Sequence, residues 1–316
     1  MLCPVKVELY FGESLGRYSF RTDHPFGPDR LHSFWRETVK QGLNRRVKIR
    51  EPVLCSEEGL ANFHTISYID RVKELSKTGT GYLDGGDTPA FPGMFEAASF
   101  VVGSGLDGIS QALCGSNIKI FIPIAGLHHA RRDQAAGFCV FNDCGVLIET
   151  LKKKYSMQKI AYVDIDAHHG DGVFYAFEED PALIFVDIHE DGRFLYPGTG
   201  FANETGRGKA KGSKLNIPMA PGSDDAAFQL IWPEVEDFLR DRKPEIILFQ
   251  AGADCIAGDP ITHLKYSPQV HTFVTKRLCA IADEYCEGRM LAMGGGGYNL
   301  TNLALAWNSV LEAMLE

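Results

Sequence analysis

The sequence predicts an α/β domain whose parallel β-sheet is flanked by helices on both faces. Three observations carry this. Short apolar runs alternate with amphipathic stretches of helical length. Long Gly/Pro-rich loops separate several of them. Hydrophobic residues make up 45% of the 316 positions, enough for one large core. No linker, charge block, low-complexity tract or internal repeat divides the chain, so residues 1–316 read as one domain.

In order, the apolar runs at 6–11, 47–49, 119–122, 160–165, 183–188, 215–217, 246–250 and 290–293 predict strands. Helical patterns cover 29–41, 57–63, 68–77, 94–113, 145–153, 172–177, 224–240, 268–285 and 302–315. Ser56 before Glu57 and Gly42 after Gln41 are start and stop signals. Strands separated by helices of this length make βαβ units. The loops 79–93, 123–142 and 189–214 are too long to be simple connections, which marks them as functional.

Charge and cysteines exclude several roles. The net charge is -9 and no Lys/Arg stripe appears, so direct nucleic-acid binding is not expected. Cys3, Cys55, Cys114, Cys139, Cys144, Cys255, Cys279 and Cys286 are scattered without a CxxC pair, so neither a thiolate zinc site nor a redox pair is expected. No signal peptide and no membrane-length apolar run is apparent. Unpaired thiols and no export signal point to the cytoplasm. Nothing in the pattern predicts an oligomeric state.

The chemistry sits beyond strand ends. Asp164, Asp166 and His168 are two residues apart, so an extended backbone turns them to one side. Two converging carboxylates repel unless a cation lies between them, and imidazole with carboxylate suits zinc or ferrous iron. Asp166 and His168 supply two ligands, and Asp254, after the strand at 246–250, is the best third. The competing reading, that Asp164 and Asp166 cap the helix near Gly172, suits one Asp better than the whole Asp-x-Asp-x-His-His-Gly-Asp-Gly run. His128 and His129 follow the strand at 119–122. One of them, beside a metal, is placed to move protons, with Asp164 or Asp171 to orient it; spacing leaves open which. Gly294 to Gly297 lack a following Gly-Lys-Ser/Thr, so they are not a P-loop. They let the backbone bend closely around a site and aim Tyr298 into it as an oxyanion donor.

Together these pieces resemble the histone deacetylase superfamily, including its bacterial acetoin-utilisation branch. The resemblance runs from His24-Pro25 and Arg30 through His64-Thr65, Gly126 to His129 and Gly137-Phe138-Cys139. It continues through Asp164 to Gly172, Tyr196 to Gly200, Gly252-Ala253-Asp254 and Gly258-Asp259-Pro260, and ends at Gly294 to Leu300. It implies the arginase/deacetylase fold, with Zn2+ or Fe2+ held by Asp166, His168 and Asp254. It implies His129 as general base and acid oriented by Asp171, His128 backed by Asp164 as its electrostatic partner, and Tyr298 as donor to the acyl carbonyl. It also implies a tunnel: Gly137, Phe138 and Tyr196 around an aliphatic stem, Gly296 beside them, Asp87 on the rim and Arg30 toward an inner cavity for the leaving acid.

Three positions depart from the family pattern. Tyr196 stands where many members have Phe. Asp187 replaces Ser in a stretch that implies K+ held by Asp164, Asp166, His168, Asp187 and Ile188. Ile261 stands where polyamine-preferring relatives carry Glu, which favours acyl-lysine in peptides or proteins over small acylamines such as acetylpolyamines. An arginase-like two-metal ureohydrolase and a catalytically dead binding module fit less well, because the Tyr298 loop is present and no ligand or proton-transfer residue is missing.

Overall fold

Strands that are covered on both faces need side chains that tolerate burial on either side, and the apolar runs supply them. A computed structural model describes residues 7–21, 23–115 and 117–316. Its strands are β1 (Val7–Tyr10), β2 (Lys48–Arg50), β3 (Lys119–Ile122), β4 (Ile160–Asp164), β5 (Leu183–Glu190), β6 (Lys214–Met219), β7 (Ile246–Gln250) and β8 (Met290–Met293). They form one sheet in the order β2-β1-β3-β8-β7-β4-β5-β6, with every pairing parallel. Residues of β3, β4, β5, β7 and β8 are buried throughout, whereas the edge strand β2 is not.

The helices are α1 (Glu13–Gly16), α2 (Arg30–Lys40), α3 (Glu57–Leu60), α4 (Ile66–Thr78), α5 (Met94–Cys114), α6 (Asp143–Tyr155), α7 (Asp171–Ala176), α8 (Asp225–Arg242), α9 (Pro268–Tyr285) and α10 (Leu300–Met314). They form two packed groups: α10 lies against α2 and α9, and α5 lies against α4 and α6. No described helix is long and apolar enough to cross a membrane.

Differences from expectation lie at element ends. α1 is a single turn, too short to show a period. α4 and α6 start before the expected 68 and 145, because Thr65 accepts from the Tyr68 N–H and Asn142 from the Gly145 N–H. α3 stops at Leu60, short of 63. β5 runs on through His189 and Glu190, polar residues that read as loop but are buried. Lys6, the expected start of the first strand, and Cys3 lie outside the described residues.

Candidate active site

A parallel sheet puts every carboxyl end on one edge. Here β3, β8, β7 and β4 are consecutive neighbours, so the loops carrying His128–His129, Tyr298, Asp254 and Asp164–Asp171 converge at that edge.

Asp166, His168 and Asp254 are all buried, and one ligand atom from each lies within 4.8 Å of the others. His168 Nδ1 meets Asp166 Oδ1 and Asp254 Oδ2, both at 3.1 Å. Two carboxylates aimed at one ring nitrogen require a positive charge between them, either a proton or a metal ion. Burial alone would pull His168 down, but the Asp166 and Asp254 carboxylates raise it to about 10. Burial and the Asp166 charge lift Asp254 to about 7. The donor set, two hard oxygens and one imidazole, fits zinc or ferrous iron. The remaining Asp166 oxygen accepts from Gln250 Nε2 and from the Gly296 N–H, both at 2.8 Å. A Cβ on Gly296 would lie 2.2 Å from Asp254 Oδ2, so only glycine allows this approach.

Helix capping does not explain these acids. α7 starts at Asp171 without a side-chain cap, and the Gly170 N–H donates to Asp187 Oδ2 at 2.8 Å.

Beside the triad lie two histidine–carboxylate pairs. His128 Nδ1 meets Asp164 Oδ2 and His129 Nδ1 meets Asp171 Oδ1, each at 2.8 Å. The two Nε2 atoms face each other at 3.0 Å. If both Nδ1–H groups donate to carboxylates, that contact needs a proton on one Nε2. Burial first, then the His128 charge, push His129 down to about 4.

Tyr298 follows the glycine turn, and its N–H donates to Asp259 Oδ2 at 2.9 Å. Burial and the Asp254 and Asp166 charges hold its hydroxyl well above the usual range, so it keeps a proton to donate. A cleft of about 230 Å³ is lined by Asp87, His129, Gly137, Phe138, His168, Leu195, Tyr196, Ile261 and Tyr298. Below it an inner pocket of about 20 Å³ touches Phe26, both histidines, Asp166, Gly295, Gly296 and Tyr298. Gly137 has φ 52°, and a Cβ there would lie 2.4 Å from the His129 ring. A roomier groove of about 1090 Å³ between α4, α5 and the segment 17–21 lies elsewhere and contains none of these groups.

Over residues 24–314 the chain matches the histone deacetylase domain. The chain belongs to the histone deacetylase family. It is 36% identical to the acetoin utilization protein AcuC of Bacillus subtilis over 298 residues, covering 92% of this chain and 77% of that relative. It is 30% identical to the histone deacetylase clr6 of Schizosaccharomyces pombe over 312 residues, covering 96% and 75%. The solved HDA15 HD domain superposes with a TM-score of 0.90 at 26% identity, covering 98% of this chain and 89% of that one. The sheet architecture is thus the histone deacetylase fold.

The structure gathers His128, His129, Asp166, His168, Gly137, Phe138, Tyr196, Ile261, Gly296, Asp87 and Tyr298 around the cleft and the inner pocket, with one correction: Arg30 is set behind them. Arg30 does not line the inner pocket. It lies behind two of its walls, 3.8 Å from the Phe26 ring and donating to the Gly295 and Gly297 carbonyls at 2.6 and 3.0 Å. A buried guanidinium needs acceptors, and the glycine turn offers them; only Nη1 is left without a partner. At the expected K+ position, both Asp187 oxygens are engaged, by the Gly170 N–H and by His189 Nδ1 at 2.7 Å. His189 Nε2 meets the Gly200 carbonyl at 2.8 Å, so both ring nitrogens face acceptors and the charge of Asp187 is balanced.

Supporting residues went unread. Asp143 accepts from the Gly126 and Leu127 N–H groups at 2.8 and 2.6 Å, and Asn142 donates to the Ala130 carbonyl at 2.8 Å. Asp84 accepts from three successive N–H groups at 2.9 Å and so shapes the loop that presents exposed Asp87. An Asp two to four residues before Gly-Asp-Thr in a Gly-rich loop is a turn signal that could have found it.

Proposed function

We propose that this chain is a metal-dependent amidohydrolase that removes an acetyl or other short acyl group from the side-chain amine of acyl-lysine. The observation that carries the reading is the Asp166–His168–Asp254 triad at the floor of a cleft that also exposes His129 and Tyr298. Zinc or ferrous iron held by these three residues would supply Lewis acidity to a water and to the acyl carbonyl.

The protein groups then divide the work. His129 lines the cleft and is the imidazole that stays neutral, so its Nε2 takes a proton from the attacking water. Asp171 holds Nδ1 and thereby the tautomer. The Tyr298 hydroxyl donates to the carbonyl oxygen as charge develops there. The C–N bond breaks as His129 returns its proton to the amine, leaving a carboxylate and an amine. His128, backed by Asp164, faces the Nε2 of His129 and assists it electrostatically.

Substrate size follows from the cavities. The inner pocket holds about one water-sized group, which suits acetyl better than long acyl chains. Phe138, Leu195, Tyr196 and Ile261 give the cleft an apolar wall for a lysine stem. Asp87 on the rim suits a peptide N–H, and it suits a free ammonium equally, which keeps small acylamines such as acetylpolyamines as the second reading. Competition between acetyl-lysine peptides and acetylpolyamines decides: a preference for the peptide supports the first reading, and a large preference for the polyamine overturns it.

The proposal extends to K+ beside Asp164, Asp166, His168, Asp187 and Ile188. Its support is the crowding at Asp164, whose carboxyl is pushed well above its usual range by burial and by the Asp187 and Asp166 charges. A cytoplasmic location is proposed from the described cysteines, all free.

A further inference from the structure

At the opposite end of β5 from the acyl cleft lies a buried cation that the proposed chemistry does not use. Lys214, the first residue of β6, is 1% exposed. Its Nζ donates to the Leu183 carbonyl at 2.6 Å, the Asp180 carbonyl at 2.9 Å and Ser213 Oγ at 3.0 Å. Three N–H bonds thus meet three oxygens.

The strand ladder explains why the Leu183 carbonyl is free, whereas the Asp180 carbonyl also accepts from the Leu183 N–H at 3.3 Å. The Phe185 N–H donates to the Ser213 carbonyl at 3.1 Å, so Phe185 turns its main-chain groups toward β6. Leu183, two residues earlier, turns its carbonyl to the same edge, where β6 has not yet begun. A buried carbonyl without a ladder partner needs another donor. Lys214 folds back to provide one, and reaches the turn after α7 at Asp180 as well. The Asp180 carboxylate is itself paired with Lys152, so the ammonium faces main-chain and hydroxyl dipoles rather than a free carboxylate.

Carbonyl oxygens that converge on one point are the same chemistry that replaces the hydration shell of K+. We propose that the Lys214 ammonium is a built-in substitute for a bound monovalent cation: it closes an oxygen cage that ties the α7–β5 turn to β6, and removing it turns the cage into a K+ site. Burial draws Lys214 down to about 7, with Asp180 opposing and Lys152 adding to the fall. Only the charged amine can donate to all three oxygens at once. The cage joins two elements that matter to the cleft, since α7 begins at Asp171 and β5 carries Asp187.

The test compares Lys214→Ala, which opens the cage, with Lys214→Met, which fills it without charge. Both are prepared as metal-loaded protein and kept in K+ throughout. Thermal unfolding is measured in KCl and in N-methylglucamine chloride at equal ionic strength. Any K+ near Asp164 moves wild type and both variants alike, so the difference between variants is the readout. Lys214→Ala should gain about 3 °C or more from K+ beyond the wild-type shift, and Lys214→Met should gain nothing extra. Rubidium-soaked crystals should show an ion between the Asp180 and Leu183 carbonyls in Lys214→Ala and none there in wild type. Rubidium at those carbonyls in the wild type overturns the proposal. So does a Lys214→Ala protein that responds to K+ no more than Lys214→Met, or that stays unfolded in K+.

Discussion

Two histidine–carboxylate pairs of identical length stand side by side, and they are not equivalent. Asp164, behind His128, also accepts from the Tyr162 hydroxyl at 2.6 Å and the Asp166 N–H at 3.0 Å. It lies among Asp187 and Asp166, and burial with those like charges raises its carboxyl well above the usual range. Asp171, behind His129, has no such crowd; Arg131 stands 3.9 Å away. Burial works against ionisation there, but the hydrogen bond to His129 Nδ1 outweighs it and holds Asp171 below its usual value. The lesson is that an Asp–His contact does not define a role. What stands behind the carboxylate decides whether the pair shares a proton or orients a base.

The sharpest break of this comparison is truncation of each imidazole. His129→Ala should lose about 10³-fold or more in kcat with its metal retained, whereas His128→Ala should lose roughly 10- to 100-fold. Metal analysis and steady-state kinetics on the same samples check this, and equal losses would erase the distinction. Removing the carbonyl donor should come next. Tyr298→Phe is expected to lower kcat by about 10²-fold or more, again with full metal content.

Exchange of the carboxylates probes the pairs from behind. Asp171→Asn should lower kcat by roughly 10²-fold and leave metal binding intact, because it disturbs only the tautomer of His129. Asp164→Asn should instead weaken metal retention, because Asp164 holds the Asp166 N–H. Chelator competition separates the two, and a swapped pattern would contradict the assignment.

How far these pairs were legible in the sequence differs in the same way. The strands, most helices and the pairing of Asp166 with His168 follow from local pattern; Asp254 lies 86 residues beyond His168, was only the best third ligand by its place after a strand, and took its role from the family resemblance. The partners of His128 and His129 do not follow from local pattern either, because Asp164 and Asp171 are equally spaced candidates and only the fold aligns each ring with one acid. The family resemblance supplied that pairing. Gln250 and Tyr162 read as ordinary strand residues; Gln250 reaches Asp166 from the neighbouring strand β7, and Tyr162 bonds Asp164 two residues along β4. Lys214 read as the polar end of a loop, although its ammonium is enclosed by main-chain oxygens.

The smallest expected effect concerns the floor under the His128 loop. His64 accepts from the Asn142 N–H at 2.9 Å, and burial pushes it down from 6.5 to about 3. The unfolded chain therefore binds a proton between these values that the folded chain refuses. The stability this neutral His contributes is complete above pH 6.5 and is lost as pH falls toward 3, roughly 2 kcal/mol by pH 5. Denaturant unfolding at pH 7 and pH 5 should show this loss in wild type and a smaller one in His64→Gln.

The central claim is hydrolysis that depends on one metal ion held by Asp166, His168 and Asp254. The direct measurement is amine release from an acetyl-lysine peptide by chelator-stripped protein titrated with Zn2+ or Fe2+. The account predicts no turnover when stripped, recovery that saturates at one ion per chain, and neither binding nor turnover in Asp254→Ala. Full turnover by the stripped protein, or a requirement for two transition-metal ions per chain, would contradict it.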